Sequence, residues 1–251
     1  MARIFITGSS DALGLGSRTA KRLIAQGHQV VLHARNAQRA TDAAAACPGS
    51  AGVLIGDLSQ LGEVKALAAQ ADALGPYDAV VHNAGLYTGP DTFAVNTLAP
   101  YVLTSLMRRP RRLVYVSSGL HYGGRAHLGG EGEGKGEGEG DVVRSSYADT
   151  KLHDVVLAKA FARRWGYRHG VEAFSVDPGW VPTKMGGEGA TGSMEEALDT
   201  FVMVTLGTGL RNGGYFAGSH EKTPLAVAED VGLQDRLLAE LARISGVTVP
   251  E

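Results

Sequence analysis

This chain of 251 residues has only one cysteine, no long apolar run and no excess of charge of either sign. The single cysteine, Cys47, excludes an internal disulfide and gives no basis for a structural zinc site, so we predict no metal. No apolar run approaches the ~20 residues that span a bilayer, and we predict no membrane partner. Lys and Arg number 24 against 26 Asp and Glu, and this net charge of -2 gives no electrostatic case for nucleic acid. The first predicted strand starts almost at Met1, which leaves no room for a signal peptide, so we expect a cytoplasmic protein.

Predicted strands and helices alternate along the whole chain. The strands are at 2–7, 29–34, 52–56, 78–82, 111–117, 171–176 and 213–217. The helices are at 14–26, 36–46, 60–74, 92–108, 146–168, 193–206 and 229–244. This alternation predicts an α/β fold: a doubly wound parallel sheet of about seven strands with helices on both faces. Because we find no repeat and no boundary, we predict one domain over 1–251.

A glycine turn lies between the first strand and the first helix. Residues 8–14 read Gly-Ser-Ser-Asp-Ala-Leu-Gly, and a second strand follows the helix, all within ~30 residues. Such a unit lets a pyrophosphate approach the backbone and bind the free N–H groups at the helix start. The sequence therefore predicts a Rossmann-type domain that binds a dinucleotide.

Tyr147 and Lys151 are four residues apart in a predicted helix, so their side chains share one face. An ammonium group beside a phenol favours the phenolate and lowers the tyrosine pKa from ~10. A tyrosine with a pKa moved toward neutral can pass a proton to or from a carbonyl or alcohol oxygen. This spacing alone is common by chance, and the dinucleotide unit upstream is what favours a catalytic interpretation.

Residues 129–140 read GGEGEGKGEGEG, between the fifth predicted strand and the helix that carries Tyr147. Glycine alternating with charge forms no packed element, so we predict a flexible loop. Two interpretations stay open here: a lid over a substrate, or an exposed loop whose sequence has drifted.

Seven short motifs occur in an order that resembles the short-chain dehydrogenase/reductase family, in its single-domain branch. In chain order they are Thr7-Gly8-Ser9-Ser10-Asp11-Ala12-Leu13-Gly14, Asp57-Leu58, Asn83-Ala84-Gly85, Asn96, Ser117-Ser118, Tyr147 with Lys151, and the segment 177–183. The first motif departs from the family pattern TGxxxGxG, because Ala12 replaces the middle glycine and adds a methyl group where backbone and cofactor approach closely. The long insertion between Ser118 and Tyr147 is similar to that of retinol-dehydrogenase-like members.

The resemblance implies a reversible hydride transfer between a nicotinamide cofactor and a carbonyl or alcohol. It makes Tyr147 the general acid/base and Lys151 the group that lowers the tyrosine pKa and binds the nicotinamide ribose. It makes Ser118 a ligand of the substrate oxygen and Asn96 the anchor of a water that links Lys151 to solvent. The cofactor contacts that it implies are Thr7, Gly8, Ser10, Ala12, Leu13, Gly14, Asp57, Leu58, Asn83, Ala84, Gly85, Tyr147, Lys151, Pro178, Gly179, Val181 and Thr183.

The end of the second strand indicates which nicotinamide cofactor binds. It reads His33-Ala34-Arg35-Asn36, with no acidic residue before Asp42. A carboxylate here would bond the ribose 2′-hydroxyl of NAD, whereas the planar guanidinium of Arg35 suits a 2′-phosphate, with Arg39 as a helper. We therefore predict Arg35 as a cofactor ligand and NADP(H) in preference to NAD(H). The alternative is that Arg35 is a surface arginine beside a helix start.

The predicted substrate is a small carbonyl or alcohol of moderately apolar character. Its walls are predicted from the segments 180–190 and 193–206, together with Tyr87, His121 and Tyr122. Two other functions stay open: an epimerase or dehydratase like the larger members of the family, and a non-catalytic NADP(H)-binding sensor or regulatory protein.

The resemblance also implies a homodimer or homotetramer, paired through the helix that carries the tyrosine. The apolar side chains this helix offers are Val155, Val156, Ala158, Ala160 and Phe161. A monomer stays open, because Arg163 and Arg164 lie on the same helix.

Overall fold

One mixed sheet forms the centre of the molecule in the computed structural model, which describes residues 1–125 and 142–251. The strands are β1 (Arg3–Ile6), β2 (Gln29–Ala34), β3 (Gly52–Ile55), β4 (Ala79–His82), β5 (Arg112–Val116), β6 (Glu172–Asp177), β7 (Tyr215–Ala217) and β8 (His220–Lys222). Their order across the sheet is β3-β2-β1-β4-β5-β6-β7-β8. Neighbours from β3 to β7 are parallel, and β8 is antiparallel to β7. This confirms the doubly wound α/β fold.

The eighth strand corrects the prediction that 213–217 is the last one. Gly218 and Ser219 both have positive φ, at 57° and 60°, and they join β7 to β8 as a two-residue turn. Two successive positive φ values match the right-handed twist of a hairpin, which is why such turns favour glycine at one of the positions. The segment 220–222 is short, polar and exposed, so it carries no apolar pattern that would predict a strand.

Helices cover both faces of the sheet, as predicted. They are α1 (Leu15–Ala25), α2 (Ala37–Ala46), α3 (Leu61–Leu74), α4 (Ala99–Leu106), α5 (Tyr147–His169), α6 (Met194–Leu206) and α7 (Val231–Ser245). One core lies between the sheet and α1, α2 and α6, and the other between the sheet and α3, α4, α5 and α7. Alternate strand residues enter the two cores, with Phe5 on one side and Ile4 and Ile6 on the other.

The predicted helix at 92–108 is interrupted. A π-helical segment, Ala94–Leu98, precedes α4, and Pro100 lies in the first turn of α4. Pro100 is four residues after Asn96 and has no N–H to donate to the Asn96 carbonyl, so the α-helical bonding pattern fails there. The irregularity therefore falls at a residue that the resemblance places in the site.

The α5 side chains that the resemblance offers for pairing are buried inside this single chain. Val155, Val156, Ala158, Ala160 and Phe161 are at most 1% exposed. They share a core with Leu233, Leu237, Leu238 and Leu241 of α7. A second copy of the chain would therefore need a different surface.

The predictions about a membrane span and about the loop at 129–140 have different outcomes. Within residues 1–125 and 142–251, no helix has the length and apolar character needed to cross a bilayer. The predicted loop at 129–140 lies outside the described residues.

Candidate active site

Thr7 ties the end of β1 to the end of β4. Its hydroxyl oxygen accepts hydrogen bonds from the backbone N–H groups of Asn83 (3.0 Å) and Ala84 (3.1 Å). The Asn83 side chain reaches back and donates to the carbonyls of Thr7 (2.8 Å) and Gly8 (3.1 Å). The first and third predicted motifs are thus two halves of one structure at the carboxyl edge of the sheet.

We expect Thr7→Val to lower the free energy of unfolding by roughly 1–3 kcal/mol, because it leaves the Ala84 N–H without an acceptor and removes one of the two acceptors of the Asn83 N–H. Urea unfolding followed by circular dichroism measures this. Thr41→Val is the matched control, since its hydroxyl donates to Ala37 on an exposed face of α2. Equal effects of the two substitutions would contradict the structural role of Thr7.

Two glycines are required where the turn meets Asn83-Ala84. Gly8 has a φ of +65°, and a Cβ there would lie 2.7 Å from the Ala84 Cα. A Cβ on Gly16 would lie 2.4 Å from the Asn83 Nδ2. Gly16 was outside the predicted motif, and its role follows from a contact between distant parts of the chain.

The helix start beside this turn has free backbone donors. Gly14 precedes α1 without a side-chain capping bond, and the first intrahelical bond is from Arg18 N–H to the Gly14 carbonyl. The N–H groups of the first turn are therefore left for a ligand, as a pyrophosphate requires. Ala12 is exposed on the rim, and Leu13 is 64% exposed. The free N–H groups at the start of α1 therefore fit the pyrophosphate of a dinucleotide.

His33 bonds the glycine turn, and it is not among the site residues predicted from the sequence. Its Nδ1 accepts from the Gly8 N–H (3.0 Å), and its Nε2 donates to the Gly56 carbonyl (2.8 Å). Burial lowers the pKa of His33, the largest effect, against the Gly56 bond and Asp57, which raise it. A neutral His33 thus connects the glycine turn, β2 and the end of β3.

The predicted adenosine contacts lie at the ends of β2 and β3. Arg35 is exposed and makes no hydrogen bond or ion pair with the described residues, so its guanidinium is available to a ligand. The Asp57 carboxylate accepts from the Ser59 N–H (2.9 Å) and hydroxyl (2.8 Å). Leu58 is 6% exposed and packs in the core, so it offers a ligand its backbone.

Ser118 and Tyr147 are brought together from different elements. Ser118 follows β5 and accepts from the Leu120 N–H (3.2 Å), while Tyr147 is the first residue of α5. Ser146 and Asp149 form a reciprocal cap that sets where α5 begins. Ser118 lies near enough to the Tyr147 hydroxyl to lower the tyrosine pKa, although burial acts more strongly in the opposite direction. The hydroxyl groups of Ser118, after β5, and of Tyr147, at the start of α5, thus lie close to each other.

The net effect on Tyr147 corrects the sequence prediction. Lys151 lowers the pKa of Tyr147, as expected from their spacing, and its Nζ lies 5.5 Å from the centre of the ring. Burial is the larger effect and raises that pKa, and the Asp154 and Asp177 carboxylates raise it as well. The net shift is upward, so the prediction of a pKa moved toward neutral is wrong for this structure.

Lys151 is itself buried, at 4% exposure. Its Nζ donates to the Val116 carbonyl (2.6 Å) and to the Asp154 carboxylate (2.7 Å). Gly85 lies on the other side, where a Cβ would be 3.8 Å from Nζ. The ammonium group is therefore near both the Tyr147 ring and Gly85.

Asn96 uses its whole side-chain amide within the protein. Its Oδ1 accepts from the Leu86 N–H (2.8 Å), and its Nδ2 donates to the Leu86 carbonyl (2.9 Å) and to Thr150 Oγ1 (3.0 Å). These bonds hold the segment after Gly85 against α5. Both side-chain N–H groups of Asn96 are thus taken, and neither is left for the water that the resemblance implies. The polar group of Asn96 that is left is its backbone carbonyl, to which Pro100 cannot donate.

The segment after β6 folds over on itself. Gly179 has a φ of +75°, and its N–H donates to the Asp177 carboxylate (2.8 Å). Val181 is 6% exposed and belongs to the core, so its side chain is not free for a ligand. Thr183 Oγ1 accepts from the Gly186 N–H (3.2 Å). Pro178 precedes this turn and is partly exposed.

Aromatic side chains surround Tyr147 and the Ser118 segment. Tyr87 is 54% exposed, and its ring centre lies 4.8 Å from that of Tyr147. Tyr122 is 49% exposed and donates to the Thr223 carbonyl (2.6 Å). His121 differs from the prediction: it is fully buried, with Nδ1 on the Ser118 carbonyl (2.8 Å) and Nε2 on the Leu225 N–H (3.1 Å). His121 therefore joins the Ser118 segment to Leu225, and its buried side chain does not line the predicted substrate pocket.

Metal ligands are not clustered in the parts of the chain that the structure describes. No group of three or more His, Cys, Asp or Glu side chains there is placed to hold an ion.

Known proteins match this chain over its length. The model of the short chain dehydrogenase family matches residues 2–108. An uncharacterized oxidoreductase, AN7799, of Emericella nidulans is 46% identical, with 100% of this chain and 99% of that protein covered. The short-chain dehydrogenase chyC of Penicillium rubens is 38% identical, with 100% of each covered. The chain belongs to the short-chain dehydrogenase/reductase family of oxidoreductases.

The fold of this family member also matches solved structures. The crystal structure of a blue fluorescent protein from a metagenomic library, in complex with NADPH, has a TM-score of 0.67. It is 23% identical, with 86% of this chain and 95% of that chain covered. At this identity the match supports the fold.

Proposed function

We propose that this protein is an NADP(H)-dependent oxidoreductase that interconverts a carbonyl and an alcohol. The observation that carries the proposal is the meeting of Ser118, Tyr147 and Lys151 beside a glycine turn with free N–H groups. Proton transfer and dinucleotide binding are thus supported at the same edge of the sheet.

The protein's own part in the reaction is the control of one proton. A bound nicotinamide supplies the hydride chemistry. The Tyr147 hydroxyl gives its proton to the substrate oxygen during reduction and takes it back during oxidation. The Ser118 hydroxyl donates to the same oxygen and stabilises the charge that develops on it. The Lys151 ammonium favours the phenolate and has a donor to offer the ribose.

The chemistry of the surrounding side chains supports a moderately apolar substrate. Tyr87 is 54% exposed against the Tyr147 ring, and Leu120 and Tyr122 are 51% and 49% exposed in the segment that follows Ser118. Exposed apolar rings next to a polar centre are typical of a pocket wall for a small molecule. We therefore propose an aldehyde, ketone or secondary alcohol with an apolar body.

Oxidation of NADPH, followed by its near-ultraviolet absorbance against a panel of aldehydes and ketones, tests the proposal. NADH and the Tyr147→Phe variant are the controls. Turnover that requires NADPH and is lost in the variant would establish the reductase. NADPH binding with no turnover of any carbonyl would favour the non-catalytic sensor instead.

The preference for NADP(H) rests on Arg35, which is exposed, unpaired among the described residues and follows β2. We expect Arg35→Ala to raise KM for NADPH about 10- to 150-fold, the equivalent of the roughly 1.5–3 kcal/mol of a charged hydrogen bond. KM for NADH should not change, because NADH has no 2′-phosphate.

Arg236→Ala is the matched control for this substitution, since Arg236 is an exposed arginine on α7, on the other side of the molecule's core. An unchanged KM for NADPH in Arg35→Ala would show that Arg35 is a surface arginine and not the phosphate ligand.

Assembly is proposed separately from activity. A homodimer or homotetramer remains the proposal from the family resemblance, with a monomer as its alternative. The burial of Val155, Val156 and Phe161 by α7 means that any such pairing uses other side chains. Sedimentation velocity distinguishes the three states.

A further inference from the structure

A buried carboxylate lies one helical turn beyond Lys151 and has no part in the chemistry described so far. Asp154 Oδ2 is 2.7 Å from Lys151 Nζ, and the two side chains are 2% and 5% exposed. Such a pair is costly to desolvate, and a charge in this setting requires its partner. Asp154 is therefore coupled to a residue at the centre of the site.

Asp154 and the Val116 carbonyl together decide where the ammonium group points. An ammonium has three N–H donors, and these two acceptors take two of them, at 2.7 and 2.6 Å. The third is left for the side where Gly85 passes, with a Cβ position 3.8 Å from Nζ. An acceptor at position 154 therefore keeps the ammonium in place, and the Oδ1 of an asparagine can accept from Nζ there without carrying the charge of the carboxylate.

The charged and titratable groups that face this pair come from three strands and the helix itself. Tyr147 lies on α5, and its ring centre is 5.5 Å from Nζ. Tyr115 on β5 feels the Asp154 charge and bonds Thr104, which in turn bonds His82 on β4. Asp177 at the end of β6 acts on Tyr147. Apart from Lys151, none of these named groups is a cation at neutral pH, because burial lowers the pKa of His82 to about 3.

We propose that Asp154 is a positioning residue, which holds Lys151 Nζ beside Tyr147 and offsets part of its positive charge. This inference rests on the function proposed above, since it describes how Tyr147 is controlled. Tyr147 is surrounded by one ammonium group and two carboxylates, and Asp154 is the carboxylate bonded to that ammonium group. The tyrosine therefore holds its proton more firmly than a tyrosine and lysine alone would.

The Asp154→Asn variant tests this, because asparagine keeps the shape of the aspartate side chain and removes its charge. We expect the pKa of Tyr147 to fall by about one pH unit, because a like charge near the phenolate has been removed. Tyrosinate absorbance in the near ultraviolet measures this without any substrate. Each protein is compared with the same protein carrying Tyr147→Phe, at alkaline pH values where circular dichroism shows it folded.

Glu229→Gln is the matched control. Glu229 pairs with Lys159, another buried lysine of α5, at 2.6 Å. It should leave the pKa of Tyr147 unchanged. If Asp154→Asn does not fold, Asp154→Ser removes the same charge and leaves room for a water that accepts from Lys151 Nζ in place of the carboxylate, with the same expected shift.

An unchanged or raised pKa of Tyr147 in the folded Asp154 variants would overturn the inference. A lowered pKa supports it, and the pH profile of alcohol oxidation should then move to lower pH by the same amount. A lowered pKa in a protein that turns over no carbonyl would refute the proposed function and still support the role of Asp154.

Discussion

Tyr147→Phe is expected to lower kcat for carbonyl reduction by about 10²–10⁴, the usual contribution of a positioned general acid. The phenyl ring keeps its contact with Tyr87, and only the hydroxyl near Ser118 is removed. Binding of NADPH, followed by fluorescence titration, should change little. The matched control is Tyr167→Phe, because Tyr167 is fully exposed on the same helix.

The pH dependence of the wild-type enzyme follows from the same residue. Burial raises the pKa of Tyr147, so the phenol keeps its proton across neutral pH. Reduction uses the phenol and should stay constant until the pH rises through this pKa, where it falls. Oxidation uses the phenolate and should increase toward alkaline pH. Retention of wild-type activity by Tyr147→Phe would remove this tyrosine from the mechanism.

Lys151→Met is expected to lower the free energy of unfolding by about 3–5 kcal/mol at neutral pH, besides abolishing most activity. Methionine fills the space of the lysine stem, but it leaves the buried Asp154 carboxylate without its ion pair. Urea unfolding at several pH values measures the loss. A loss below about 1 kcal/mol would show that the pair has no structural weight.

The loss should depend on pH in a definite direction. Burial raises the pKa of Asp154, and Lys151 opposes this, so the variant raises it further. A carboxyl whose pKa is higher in the folded than in the unfolded protein binds protons more tightly when folded. Stability therefore falls as the pH rises above the ordinary carboxyl pKa of about 4. The destabilisation should be smaller at about pH 5 than at about pH 8.

The double variant Lys151→Met with Asp154→Asn separates stability from catalysis. It removes both charges, so no buried ion is left unpaired, and most of the lost stability should return. Activity should not return, because the ammonium beside Tyr147 is still absent. Stability of the double variant equal to that of Lys151→Met would contradict the assignment of Asp154 as the stranded charge.

The sequence by itself determined the fold class and the residues that are proposed for the site. Three of the predicted features depend only on residues that are close in the sequence. They are the alternation of strands and helices, the turn at 8–14 and the Tyr147/Lys151 spacing. The resemblance to the family added Asn83 and Ser118 as candidate site residues. These expectations needed no knowledge of which distant segments touch.

Tertiary structure alone decided what depends on distant neighbours. The pairing of β8, the clash that keeps Gly16 a glycine, and the covering of α5 by α7 are contacts between segments far apart in the chain. The net pKa of Tyr147 was wrongly predicted because a spacing of four residues shows the nearby ammonium and not the burial around the phenol. The Asp154 pair shares this origin: the Asp154 position is visible in the sequence, but a carboxylate acts on its neighbours strongly only where folding has removed water from it.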